Sequence, residues 1–184
     1  MMSIFERIAD FIFRTARGDS KTRWLYTPFV AFLFLLFLSL FYFAALFTDK
    51  WLNLPSIIYL PWTLIVAVIL LIAGATLVTW TWTQFLLARG TPVPLNPPQK
   101  LITGGIYAFS RNPMLMGIFF IFFGIGVIIG SLSLTFIFTP LLILVFYVQI
   151  TKIEEREMEL KFGREYLDYK KRVPRFFPRI SRAS

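Results

Sequence analysis

Two polar segments carry the side chains able to do chemistry. The first runs from Arg89 to Pro113, reads RGTPVPLNPPQKLITGGIYAFSRNP, and brings Tyr107, Arg111 and Asn112 close together in the chain. The second runs from Lys152 to Pro178, reads KIEEREMELKFGREYLDYKKRVPRFFP, and opens with adjacent carboxylates at Glu154 and Glu155. The chain has no histidine and no cysteine, which removes imidazole acid–base chemistry, thiolate nucleophiles, disulfides and Cys/His metal sites together. What remains is a guanidinium able to grip a carboxylate by two donors, an amide, phenols, and carboxylates able to accept hydrogen bonds or face a cation. Pro92, Pro94, Pro97 and Pro98 hold the first segment extended, and Gly104-Gly105 permits a sharp turn. A connection that needed only reach would not need such stiffness.

The elements that position these residues belong in a bilayer. The chain of 184 residues is 57% hydrophobic and 18% aromatic, with 22 Phe, beyond the roughly 45–50% apolar content of soluble domains. Its length suits one domain, 1–184. Three uncharged stretches stand out: Trp24 to Thr48, Trp51 to Ala88, and Asn112 to Thr151. A crossing needs about 20 apolar residues, so the first predicts one helix from about Pro28 to Phe47, with its proline in the first turn. Asn53, Pro55 and Pro61 break the opening of the second, leaving a helix from Pro61 to Leu87. The third is long enough for two short helices, about Asn112 to Ile129 and Leu134 to Thr151, turned back at Gly130-Ser131-Leu132-Ser133. The expected fold is an all-α integral membrane protein of four transmembrane helices, with an N-terminal amphipathic helix and a cytoplasmic C-terminal helical tail. The amphipathic helix is read from Ile4, Phe5, Ile8, Phe11 and Ile12, which recur at helical spacing.

With four crossings, 18 of the 19 Lys and Arg fall on one side and only Lys50 on the other. By the positive-inside rule the crowded side is cytoplasmic and holds both termini, the loop and the tail. The net charge of +9 is then explained by contact with anionic membrane lipids, and nucleic acid is not needed as a partner.

The ordered run of Leu101-Ile102-Thr103-Gly104-Gly105-Ile106-Tyr107, Ser110-Arg111-Asn112-Pro113-Met114, Gly117, an apolar hairpin, Glu154-Glu155, Leu160, Phe162-Gly163, Tyr166, Tyr169 and Val173 to Pro178 resembles the isoprenylcysteine carboxyl methyltransferase family. That family is related to the phospholipid N-methyltransferases, and the likeness is to its prokaryotic-type members. The resemblance covers about half the chain, and Asn112 stands where the family motif has histidine. It implies a single membrane methyltransferase domain, S-adenosylmethionine as cofactor, and a lipid-like or prenylated small-molecule acceptor, set in a prokaryotic inner membrane. It implies Arg111 and Glu155 as catalytic residues, and Tyr107, Arg111, Asn112, Pro113, Met114, Gly117, Glu154 and Glu155 as the cofactor-binding set. Plainer readings stand beside these. Arg111 would serve as a positive-inside anchor, and the Glu pair would form a solvated helix face with Lys152, Arg156 or Lys161. A GxxxG at Gly126 and Gly130 is read as close helix packing.

Two other functions fit the same residues: an NADPH-dependent sterol-type reductase and a catalytically silent scaffold. Carboxylate, amine and phenol acceptors all stay open. The topology has a direct test. Single cysteines at Thr103 and Ser181 are expected to label only from the cytoplasm, and one at Asn53 only from outside; labelling of Thr103 and Ser181 from opposite faces would refute four crossings.

Overall fold

The computed structural model describes residue 7 and residues 20–56, 60–88, 90, 91 and 100–177. Ile4, Phe5, Ile8, Phe11 and Ile12 of the expected surface helix, the prolines at 92–98, Pro178 and Ser181 lie outside the described residues. Helix α1 is Ser20–Trp51 and α2 is Pro61–Leu87. A single 3-10 turn, Gly105–Ala108, leads into α3, Pro113–Ile128. Helix α4 is Leu134–Phe162 and α5 is Arg164–Arg172. Among the described residues there are no strands. Three helices among the described residues are long and apolar enough to cross a membrane, over Leu25–Trp51, Pro61–Leu87 and Leu134–Phe162, while α3 is a shorter apolar helix.

The boundaries of α2 follow its punctuation. Asn53 takes a positive φ of 50°, Pro61 sits at the first helical position, and Thr63 Oγ1 accepts from the Leu60 amide at 3.1 Å. The first and last long helices run further than the sequence suggests. Helix α1 starts eight residues before Pro28, so that proline lies inside the helix and not in its first turn; a proline removes one backbone donor, which a long apolar helix tolerates where neighbours compensate. Helix α4 does not stop at Thr151 but carries its charged stretch on the same axis, until Gly163 takes a φ of 54° and turns the chain into α5.

Two wide turns interrupt α4, at Leu134–Phe138 and Ile150–Glu154. The first accommodates Pro140, which has no amide to give, and Thr139 Oγ1 donates to Leu134 O across it at 2.7 Å. No proline or glycine explains the second, which ends immediately before Glu155.

Helices α2 and α3 pack antiparallel through a seam of small residues seven apart. Ala67, Gly74 and Thr81 are the buried positions of α2. A Cβ added to Gly74 would lie 2.6 Å from Gly117 O, one added to Gly117 would lie 2.7 Å from Gly74 O, and Gly124 sits 3.0 Å from Ala67 O by the same measure. Backbones this close rely on dispersion between helix surfaces, the main attraction available where lipid is as apolar as the helix. Around this pair, Phe146 of α4 stacks with Phe34 and Phe37 of α1 and with Phe119 of α3 at centroid distances of 5.9 to 6.1 Å.

The far end of the bundle is closed by one carboxylate. Asp49 Oδ1 accepts from the Ser133 amide at 2.9 Å, and Oδ2 accepts from Ser131 Oγ. Ser131 Oγ in turn accepts from the Leu134 amide at 3.0 Å. These contacts satisfy donors at the start of α4 that have no partner within the helix. Gly130 provides the turn at φ 72°, and Gly126 is close-packed against Thr135, where a Cβ would meet Oγ1.

The seam gives the first structural test. Gly74→Ala and Gly117→Ala each force a methyl onto a facing carbonyl, so each should cost about 1–3 kcal/mol. Because one separation of the helices relieves both clashes, the double variant should cost less than the sum of the singles. Thermal unfolding in detergent reads this, and unchanged midpoints would show that the helices do not approach this closely.

Candidate functional site

The loop before α3 and the tail after α5 meet over the charged part of α4. The Arg111 amide donates to Pro174 O at 3.0 Å, and its Nε donates to Val173 O at 3.0 Å. Arg111 Nη1 donates to Glu155 Oε1 at 2.9 Å and to Tyr166 Oη at 3.1 Å. Ser110 Oγ donates to Arg175 O at 3.2 Å and accepts from the Asn112 amide at 3.2 Å. Asn112 Nδ2 donates to the same Arg175 carbonyl at 3.1 Å. A carbonyl can only accept, so this bond fixes which way the amide points and leaves Oδ1 and the second N–H for other partners. Phe176 anchors the tail against Phe119 of α3 at 5.9 Å.

Glu155 is where the segments converge. Its Oε1 accepts from Arg111 Nη1 and from Arg175 Nε at 2.8 Å, and its Oε2 accepts from Lys170 Nζ at 2.7 Å. The pairing with Lys152, Arg156 or Lys161 considered from sequence is thus replaced, for Glu155, by partners from the loop, α5 and the tail. The carboxylate and the Arg111 side chain are only 5% and 8% exposed, and charges this far from water persist only when paired and hydrogen-bonded. Lys170 also reaches Glu159 at 2.9 Å. Its hydrogen bond to Glu155 holds the Lys170 ammonium above its usual pKa, and the same carboxylate does so for Arg175. Burial pushes the Tyr166 phenol up to about 12 although Arg111 opposes the shift. Tyr166 therefore meets the guanidinium as a neutral hydroxyl.

Glu154, one residue earlier, has no hydrogen bond or ion pair among the described residues, yet lies within electrostatic reach of Arg111, Glu155 and Tyr107. Tyr107 sits in the 3-10 turn with its ring 6.1 Å from Phe85 of α2, and its carbonyl accepts from Tyr169 Oη at 2.7 Å. Burial raises the Tyr107 phenol well above its ordinary range, and the charge of Glu154 adds to that.

Of the residues singled out from sequence, Arg111, Asn112 and Glu155 come together in one network, with Tyr107 and Glu154 beside it. Pro113 and Met114 begin α3 directly below. Gly117 is one turn further on and is engaged in the seam with Gly74. Sequence reasoning assigned no role to Ser110, Lys170 or Arg175. The signal for Arg175 was present in Val173-Pro174-Arg175, but nothing in the spacing pointed to Glu155 as its partner.

Comparison with known proteins covers this same region. Residues 62–165 match the family described as phospholipid methyltransferase. The chain belongs to that family. Similar proteins include the protein-S-isoprenylcysteine O-methyltransferase of Schizosaccharomyces pombe, 34% identical over 85 residues, which is 46% of this chain and 36% of the relative. Those of Mus musculus and Homo sapiens are 38% and 36% identical over 80 residues, 44% of this chain and 28% of theirs. The chain thus spans about a third of the length of the curated relatives it matches. No solved structure matches it. The family segment contains Tyr107, Arg111, Asn112, Glu154 and Glu155, while Tyr166, Lys170 and Arg175 fall after its end.

The network predicts an order of sensitivity. Glu155→Ala strands three cations, two of them partly solvated, and should cost about 3–5 kcal/mol, the loss seen when one partner of a buried ion pair is removed. Lys170→Ala removes a cation that is a third exposed and leaves Glu155 with two partners, so it should cost about 1 kcal/mol or less. Thermal midpoints in detergent, with protease protection of residues 163–177, check this; equal losses would remove Glu155 from the centre.

Proposed function

We propose that this chain is an integral membrane methyltransferase that moves a methyl group from S-adenosylmethionine to a lipid-like or prenylated acceptor. The observation that carries the reading is that the family segment brackets the place where Arg111 and Asn112 of the loop meet the Glu154-Glu155 step of α4. The cofactor, when bound, supplies a methyl group on a positively charged sulfur. The residues present suit such a molecule. Glu154 is a carboxylate without a partner among the described residues, Asn112 keeps Oδ1 as an acceptor, and three cations surround the single carboxylate of Glu155. Tyr107, Arg111, Asn112, Pro113 and Met114 would hold the cofactor from the loop side, Glu154 and Glu155 from α4. Gly117 would contribute by keeping α2 and α3 in contact beneath them.

The S-isoprenylcysteine named for the relatives carries a carboxylate, and we extend that acceptor class to this chain. A carboxylate is already a nucleophile, so holding it in line with the methyl supplies most of the assistance. The absence of histidine is consistent with such a reaction, in which no proton needs to be moved. Lys170 and Arg175 are committed to Glu155, so neither is a ready group for the 2′-phosphate that the NADPH-reductase reading would need. We further propose that α3 is a fourth crossing. Its contacts with α2 run from Gly117–Gly74 to Gly124–Ala67, which supports its passing the same depth of bilayer in the opposite direction. With it, both termini lie on the cytoplasmic side of a prokaryotic inner membrane.

Calorimetry with S-adenosylmethionine on detergent-purified protein is the test. The natural protein is expected to bind. Asn112→His should bind within a few-fold of it, because an imidazole N–H can replace the donor to Arg175 O. Asn112→Leu should not bind, having lost both the tie to the tail and the acceptor. Undiminished affinity in the Leu variant would remove this position from the cofactor site.

A further inference from the structure

Two adjacent carboxylates on one helix cannot point the same way, because successive residues differ by about 100°. The wide turn Ile150–Glu154 ends between them: its closing bond runs from the Glu155 amide to Ile150 O. Such turns re-aim the side chains that follow and recur at functional sites. Here no proline or glycine requires one.

The consequence is visible in what each carboxylate does. Glu155 is heavily committed: Oε1 holds Arg111 and Arg175, and Oε2 holds Lys170. Three cations already neutralise this one carboxylate, so a fourth positive group gains little by approaching it. Glu154 has no such commitments among the described residues, while Tyr107 and Arg111 of the same loop lie within its electrostatic reach. Asn112, also on that loop, uses one N–H on Arg175 O and keeps Oδ1 as an acceptor.

We propose that the pair divides the work: Glu155 fastens the tail over the loop, and Glu154 alone meets the positive charge of the bound cofactor. This rests on the methyltransferase reading and refines it, since it withdraws Glu155 from contact with the ligand.

The experiment compares Glu154→Gln and Glu155→Gln with the natural protein in detergent, measuring affinity for S-adenosylmethionine, affinity for S-adenosylhomocysteine, and thermal midpoint. Glu154→Gln should keep the natural midpoint and bind S-adenosylmethionine about ten- to hundred-fold more weakly, the worth of one charged hydrogen bond. A loss confined to S-adenosylmethionine assigns Glu154 to the sulfonium, and a loss shared with S-adenosylhomocysteine, whose sulfur is neutral, assigns it to the ammonium. Glu155→Gln should lower the midpoint, expose residues 163–177 to protease, and leave the ratio of the two affinities unchanged. Natural affinity in Glu154→Gln overturns the proposal alone, as does a Glu154→Gln that fails to fold, since no structural bond is assigned to that side chain. Failure of the natural protein to bind either compound overturns the methyltransferase reading and the proposal with it.

Discussion

One buried carboxylate holds the loop, α5 and the tail together by electrostatics. Glu155 accepts from a loop arginine, a lysine of α5 and a tail arginine, three groups brought by parts of the chain that share no regular secondary structure. Isolated in a low-dielectric setting, any of these charges would be costly, and together they are tolerated because each neutralises another. The carboxylate also explains why the chain turns back at Gly163: α5 must bring Lys170 over the last turns of α4, and Tyr166 must reach Arg111.

Beneath that junction, the bundle is held by shape rather than charge. The Gly74–Gly117 approach sets the separation of α2 and α3, and this in turn sets where the 3-10 turn with Tyr107 and the first turn of α3 emerge. Phe146 links α1 and α3 to α4, and Phe119 passes the same packing on to Phe176 of the tail. At the opposite end Asp49 ties α1 to the start of α4. Three kinds of contact thus act at three depths: ion pairs at one end, small residues and aromatic rings through the middle, and a helix-capping carboxylate at the other.

Much of this was legible in the sequence, and what was not has physical reasons. Pro61 and Gly130 fixed boundaries correctly because a missing amide and a positive φ are local requirements. Pro28 misled because a helix can continue through a proline when its surroundings compensate. The charges after Thr151 suggested a new segment, whereas charge alone does not end a helix. The seam was readable as Ala67, Gly74 and Thr81 at intervals of seven facing Gly117 and Gly124, but the shorter GxxxG spacing at Gly126 drew attention first. Arg111, Asn112 and Glu155 were each identified by type and motif. That Arg111 and Glu155 bind each other, and that Lys170 and Arg175 join them, depends on how the tail folds back, which no local pattern encodes.

The grip of loop on tail has an uneven chemistry. Every hydrogen bond from Ser110, Arg111 and Asn112 to residues 173–175 ends on a backbone carbonyl. In these bonds the loop contributes mostly side chains and the tail contributes only the path of its backbone. At Val173 and Pro174 the side chain is irrelevant to those bonds, so substitutions that preserve an extended backbone leave them intact, whereas each of the three loop residues supplies at least one donor. What fixes the tail residues by type lies elsewhere: Arg175 is held by Glu155, Phe176 by Phe119, and Val173 by its burial with Tyr166 and Tyr169.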